Sequence, residues 1–324
     1  MNIELPKING RLSQLKTLLV FFSAISLSLS TVSNAQNLSA LDVSSVITKY
    51  REANEALILT DFVELLSFPN VASNLDDMAV NADHIEGLLS ARGFTTKQLQ
   101  AGGAPYVYAE LLNPNATETL LLYAHFDGQP VDPKNWAYPP FTPMLLDAPL
   151  NAGGKPVDLD LSPPRFDPES RLYARSAGDD KMPVIAIAHV IDALRQNNIE
   201  LSVNLKLIFD GEEERGSPTL GQIIDDNPGL LDADLLLFCD APMHQSRRAQ
   251  LVFGVRGGRT LDMTTYGANR SLHSGHYGNW APNPIMRMAY LLTSMRDESG
   301  RILIEGYYDN VATLTEAERS AIDA

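Results

Sequence analysis

Four short groups carry the side chains best able to do chemistry: His125-Phe126-Asp127, Asp179-Asp180, Glu213-Glu214 and Asp240. Three of them follow apolar runs of strand length, at residues 120–124, 203–209 and 235–239. The fourth precedes an apolar stretch of helical spacing that starts near Pro183. A buried strand ending in consecutive glutamates is poor design for stability alone, because like charges repel and an unpaired buried carboxylate is expensive. Something positive is therefore expected at that strand end. In an open parallel sheet, ligands bind beyond the carboxyl ends of the strands, so groups distant in sequence can converge there. One imidazole and several carboxylates suit zinc, and less well manganese or cobalt. Two ions about 3.5–4 Å apart, bridged by a carboxylate, would neutralise the acids and activate a water. Of the pair Glu213 and Glu214, one carboxylate would hold metal and the other would act as general base. Each group alone is weak evidence, since acid pairs commonly sit at solvated helix starts, where they suit the helix dipole. Their joint order and shared placement are what point to a metal centre.

The elements that must position these groups follow from the apolar pattern. Leu57, Leu59, Phe62, Leu65 and Leu66 recur at helical spacing within residues 46–68. A second helix is expected over residues 76–92, on the stripe Met78, Ile85, Leu88 and Leu89, with Gly93 as its stop. Residues 106–112, 120–124, 203–209 and 235–239 read as strands. Residues 183–196 read as a helix with Pro183 in its first turn, and residues 218–226 as a shorter one. Apolar strands alternating with helices predict an α/β fold with a mostly parallel sheet flanked by helices. Residues 132–168, rich in Pro, Asp and Gly, read as a long loop over one end of the sheet. From Arg256-Gly257-Gly258 a new unit is expected, with strands at 259–266 and 302–304 and helices at 284–294 and from 314 onward.

The 324 residues suffice for about two domains. The net charge is -15 and no run of Lys or Arg occurs, which argues against a nucleic-acid partner. The single cysteine, Cys239, allows no internal disulfide and reads as a small buried hydrophobe. Lys7, Arg11 and Lys16, the apolar stretch 18–29 and Ser33-Asn34-Ala35 read as a signal peptide over 1–35. That predicts an exported protein, periplasmic or secreted, with no membrane association after cleavage.

At the acidic groups the chain resembles the co-catalytic dizinc metallopeptidases that include glutamate carboxypeptidase, carnosinase, aminoacylase and succinyl-diaminopimelate desuccinylase. The likeness rests on Tyr123-Ala124-His125-Phe126-Asp127-Gly128, Ala177-Gly178-Asp179-Asp180-Lys181, Glu213-Glu214-Arg215-Gly216-Ser217, Cys239-Asp240 and Ser271-Leu272-His273-Ser274-Gly275. The resemblance implies the zinc-peptidase catalytic fold over 36–255 and the start of an inserted α+β dimerisation and lid domain over 256–324. It implies Glu213 as general base, Glu214 as ligand of one zinc and Asp179 as the bridge between two. His125 and Asp240 would hold the other ion, and Asp127 would orient His125. His273 would reach a partner subunit's active site in a homodimer and stabilise the oxyanion there. Two departures stand out: Ala174-Arg175-Ser176 replaces the family's Gly-Arg-Gly, and Met182 its glycine after the lysine. The family's chain also returns from the inserted domain with a last metal-binding histidine, and this sequence stops before such a return. The expected function is hydrolysis of a peptide bond, of dipeptidase or carboxypeptidase type. The alternatives are an N-acyl-amino-acid deacylase and a non-catalytic remnant that binds metal weakly.

Overall fold

The computed structural model describes residues 39–323, apart from 159–164, 242, 249, 253, 256 and 259. These residues fall into two compact units, divided between Gln250 and Leu251. The expected signal peptide, 1–35, lies outside the described residues.

The first unit opens with α1 (Ala40–Ser67). Ser39 caps it: its hydroxyl accepts from the Asp42 amide, while the Asp42 carboxylate accepts from the Ser39 amide. Helix α2 (Leu75–Ser90) is capped by Asn74 and buries Met78, Ala82, Ile85 and Leu89, the spacing of one helical face. Strands β1 (Thr95–Leu99), β2 (Tyr106–Leu111) and β3 (Thr119–His125) follow. A hairpin-like pair, β4 (Met144–Leu146) and β5 (Arg171–Tyr173), stands apart as a two-stranded antiparallel sheet. Then come α3 (Lys181–Gln196), β6 (Asn204–Asp210), α4 (Leu220–Asp226) and β7 (Leu235–Phe238).

The main sheet has the order β1-β2-β6-β3-β7. It is α/β, as expected, but mixed. β6, β3 and β7 run parallel, whereas β2 is antiparallel to both β1 and β6. Alternation along the strands divides the core in two. Val107, Ala109, Leu122, Ala124, Leu205, Leu207 and Phe209 pack on one face against Leu65, Met78, Ile85, Val184 and Leu194 of α1, α2 and α3. Tyr106, Tyr108, Leu121, Tyr123 and Ile208 pack on the other face with Ile223 of α4. The four residues of β7 stay exposed, and Cys239 beyond them is half-buried against the core.

The sequence reading needs several corrections at this level. The polar stretch Thr95–Leu99 is an edge strand. The loop expected over 132–168 contains β4. Residues 260–266, within the strand expected at 259–266, show no strand. The second unit holds α5 (Ser274–Tyr277), α6 (Pro284–Ser294) and α7 (Glu316–Asp323). Its strand at 302–304 reduces to one antiparallel bridge between Arg296 and Ile302. Among the described residues, no helix is long and apolar enough to cross a membrane.

Candidate metal centre

Parallel pairing with β6 carries β3 to its last residue, His125, which stands opposite Asp210. The imidazole is fully buried. Its Nδ1 lies 3.2 Å from Asp127 Oδ1 and its Nε2 2.8 Å from Asp179 Oδ1. Glu213 Oε2 and Asp240 Oδ2 each stand 3.9 Å from the same Nε2. The His125 amide donates to Asp180 Oδ2 at 3.2 Å. Three strand ends and the start of α3 thus deliver four acids to one imidazole.

Asp127 is the positioning group. It is fully buried, and besides the imidazole it accepts from the amides of Glu213 and Glu214, both at 3.1 Å. One carboxylate therefore fixes the His125 ring and the start of the glutamate turn together. That turn is a 3-10 turn over Glu213–Arg215, closed by Gly216 at φ 81, a backbone conformation that favours glycine.

The electrostatics follow from this crowding. Burial alone would lower the His125 pKa. Hydrogen bonds and charge from Asp127, with Asp179 and Asp180 beyond it, outweigh burial and push it up to about 10. Asp180 is pushed up to about 7, mainly by burial and further by Asp240 and Asp179, although His125 acts against the shift. Burial, with the charges of Asp240 and Glu214, also raises Glu213. The two carboxyls are raised because they are buried among other acids, and the charge of His125 only partly offsets this. A divalent ion on Nε2 would supply more positive charge to the same carboxylates. The donor set fits such an ion: His125, Asp180 and Asp240 offer ligand atoms within 4.8 Å of one another. Nδ1 is already engaged by Asp127, which leaves Nε2 as the ligating nitrogen.

The structure brings His125, Asp127, Asp179, Glu213 and Asp240 together. Glu214 stands at the flank, where its Oε2 accepts from Gln129 Nε2 at 2.6 Å. His273 belongs to the second unit. It caps the short α5, with Nδ1 accepting from the Gly275 amide at 3.1 Å and its ring 4.6 Å from that of His276. Sequence reasoning gave Asp180 no role of its own, although this side chain turns inward. Glu212, which the sequence reading gave no role, is a buried anchor. Glu212 accepts from the Ala104 and Thr219 amides and the Tyr106 hydroxyl at 3.2, 2.8 and 3.1 Å, and from the Thr219 hydroxyl. On the Tyr123 face, beside Glu213, a cavity of about 850 Å³ is lined by Leu121, Tyr123, Ile208, Leu236 and Phe238.

Comparison with known proteins now decides the family. Residues 121–267 match Peptidase family M20/M25/M40, a span that includes every residue of the centre. The chain carries an M20-family peptidase domain. Members of this family are metal-dependent. The Cys-Gly metallodipeptidase of Schizosaccharomyces pombe is 30% identical over 222 residues, 68% of this chain and 42% of its own. The human Beta-Ala-His dipeptidase is 29% identical over 251 residues, 74% of this chain and 45% of its own. The crystal structure of an M20 family metallo-carboxypeptidase from Sulfolobus solfataricus superposes with a TM-score of 0.63. It is 33% identical, over 82% of this chain and 56% of that one. The chain thus spans about half the length of the relatives it matches. The expectation of an exported, periplasmic or secreted protein is corrected here. The related dipeptidases are cytosolic or secreted, so kinship assigns no export.

Proposed function

We propose that this chain is part of an enzyme that hydrolyses the peptide bond of a small peptide at a divalent metal centre, with zinc as the ion and two ions per site. The observation that carries this reading is the gathering of Asp179, Glu213 and Asp240 within 2.8–3.9 Å of His125 Nε2, with Nδ1 pinned by Asp127. His125, Asp179 or Asp180, Glu214 and Asp240 are the residues that would hold metal. When bound, the metal supplies Lewis acidity towards the scissile carbonyl. Glu213 lies at the edge of the group, with its carboxyl raised by burial, and would serve as general base. It would take the proton of the attacking water and return it to the leaving amine. Asp127 would hold the His125 ring in register throughout.

The dipeptidase activities of the relatives support a small-peptide substrate. The second unit is assigned to dimerisation, on the support of the exposed apolar side chains Ile285, Tyr290 and Leu292 on α6. His273, exposed on its short helix, would then act on the partner's substrate as a donor to the oxyanion. The test loads the protein with zinc and offers a panel of dipeptides and N-acyl amino acids, alongside light scattering for the dimer. Turnover of dipeptides is expected. Turnover of N-acyl amino acids alone would move the assignment to a deacylase, and no turnover by a zinc-loaded protein would refute it.

A further inference from the structure

We infer that the Ser176 hydroxyl is a positioning group for the metal centre, a tie between the two turns that carry its side chains; the role rests on the metal-centre reading above. Ser176 is buried and sits at φ 63, a left-handed backbone conformation that is unfavourable for any residue with a Cβ. Serine stands here in place of the second glycine of the family's Gly-Arg-Gly, and glycine adopts that conformation freely. A side chain held at such a φ needs a compensating contact, and this hydroxyl makes two. It donates to Asp127 O at 3.2 Å and accepts from Asn70 Nδ2 at 2.8 Å.

These contacts join the two halves of the centre. Asp127, whose carbonyl receives the hydroxyl, holds the His125 ring through its carboxylate. On the other side, Ser176 opens the turn that carries Asp179 and Asp180 into α3, and its carbonyl accepts from the Lys181 amide at 3.1 Å. Asn70 braces both halves. Its Nδ2 also donates to Phe126 O at 2.7 Å, and its carbonyl accepts from the Gly128 amide at 2.8 Å. Because Phe126 O can only accept, the Asn70 side chain must turn its N–H groups towards Phe126 and Ser176. Its Oδ1 is left buried without a hydrogen-bond partner among the described residues. Gly128 leaves room for the hydroxyl, since an added Cβ would stand 2.5 Å from Ser176 Oγ. The Asn70 amide, the Ser176 hydroxyl and the Asp127 carbonyl thus form a buried chain of donors and acceptors, in which each bond strengthens the next.

Removing Oγ would unpair Asp127 O and one N–H of Asn70, and would free the turn that holds His125 from the turn that holds Asp179 and Asp180. The backbone at 176 would not suffer from glycine, which relieves the left-handed φ. A tie for the centre and a prop for the fold therefore predict different outcomes. If the hydroxyl served the fold alone, zinc affinity would follow stability.

The test compares full-length wild type, Ser176→Gly and Ser176→Ala. Zinc affinity is read by competition with a chromophoric chelator, and stability by urea unfolding of the metal-free proteins. Both variants lose the hydroxyl, and alanine alone keeps the unfavourable φ. Zinc binding should be about 10-fold weaker in both, the lower end of the loss that follows removal of a group behind a metal ligand. The urea midpoint of Ser176→Gly should nonetheless lie above that of Ser176→Ala. In the metal-free state, hydrogen exchange of the Gly128 amide should be faster in Ser176→Gly than in wild type. Should Ser176→Ala not fold, the glycine variant decides. Wild-type zinc affinity in Ser176→Gly, or zinc affinities that rank the two variants by their stability, would overturn the assignment. Zinc held by none of the three proteins, with faster Gly128 exchange in Ser176→Gly, refutes the metal reading and leaves the tie between the turns standing.

Discussion

Two groups of carboxylates lie at the same end of the main sheet, and they are built on opposite plans. Asp210 and Glu212 are both fully buried and surrounded by donors. Asp210 accepts from the Tyr123 and Ser217 hydroxyls at 3.1 and 2.6 Å and from the Glu212 amide at 2.8 Å. Glu212 accepts from Ala104, Tyr106 and Thr219. Asp179, Glu213 and Asp240 instead face outward, partly exposed, and share the single imidazole of His125. The first group is satisfied by the protein. The second is short of positive charge. Adjacent glutamates on one loop thus divide between anchoring the fold and joining the acids around His125, and hydrogen-bond donors, not acidity, decide which does which.

The comparison predicts opposite failures for neighbours. Glu213→Gln should cut kcat by about 10²–10⁴-fold, the usual worth of a positioned general base, while bound metal stays at the wild-type level. Steady-state kinetics with metal analysis checks this. Glu212→Ala should leave metal affinity of the folded protein unchanged and destabilise it by about 3 kcal/mol, because it strands several buried donors. Urea unfolding reads that loss. If the two variants behaved alike, the division between the groups would collapse.

A smaller effect sharpens the satisfied side through pH. Burial pushes the Tyr106 phenol well above its ordinary range, helped by Asp210 and Glu212, and burial with Asp210 does the same to Tyr123. A phenol raised on folding contributes stability that is complete below the unfolded value near 10 and is lost as pH rises beyond it. Stability should therefore fall above pH 10, by up to about 1.4 kcal/mol per pH unit for each tyrosine. Tyr106→Phe and Tyr123→Phe should each flatten that slope in denaturant melts between pH 8 and 11. An unchanged slope in both variants would show that these hydroxyls do not couple to folding.

Much of this architecture was legible in the residues. The helix at 284–294 coincides with α6, because Asn283 accepts from the amides of Ile285 and Met286 and Pro284 starts the first turn. The inner strands β3 and β6 were plain from apolar runs buried on both faces. β1 was missed because Thr95-Thr96-Lys97-Gln98 carries the polar side chains of a half-exposed edge. β4 and β5 were missed because strands of three residues leave no period to read. At the centre, the sequence located His125, Asp127, Asp179, Glu213 and Asp240 together. It could not tell which of two adjacent aspartates turns inward, so Asp180 went unassigned. Nor could it see that Ala104, Tyr106 and Thr219, far apart in the chain, would meet on Glu212. The run of three glutamates looked like one demand for a cation, and the fold met a third of it with hydrogen bonds.

The central claim, that the outward acids and His125 form a divalent-metal site, is tested most directly by equilibrium dialysis of the full chain against zinc, wild type beside His125→Ala. The account predicts at least one tightly held zinc per wild-type chain and its loss from the variant. A folded wild type that holds no zinc, or a His125→Ala protein that holds as much as wild type, would contradict it.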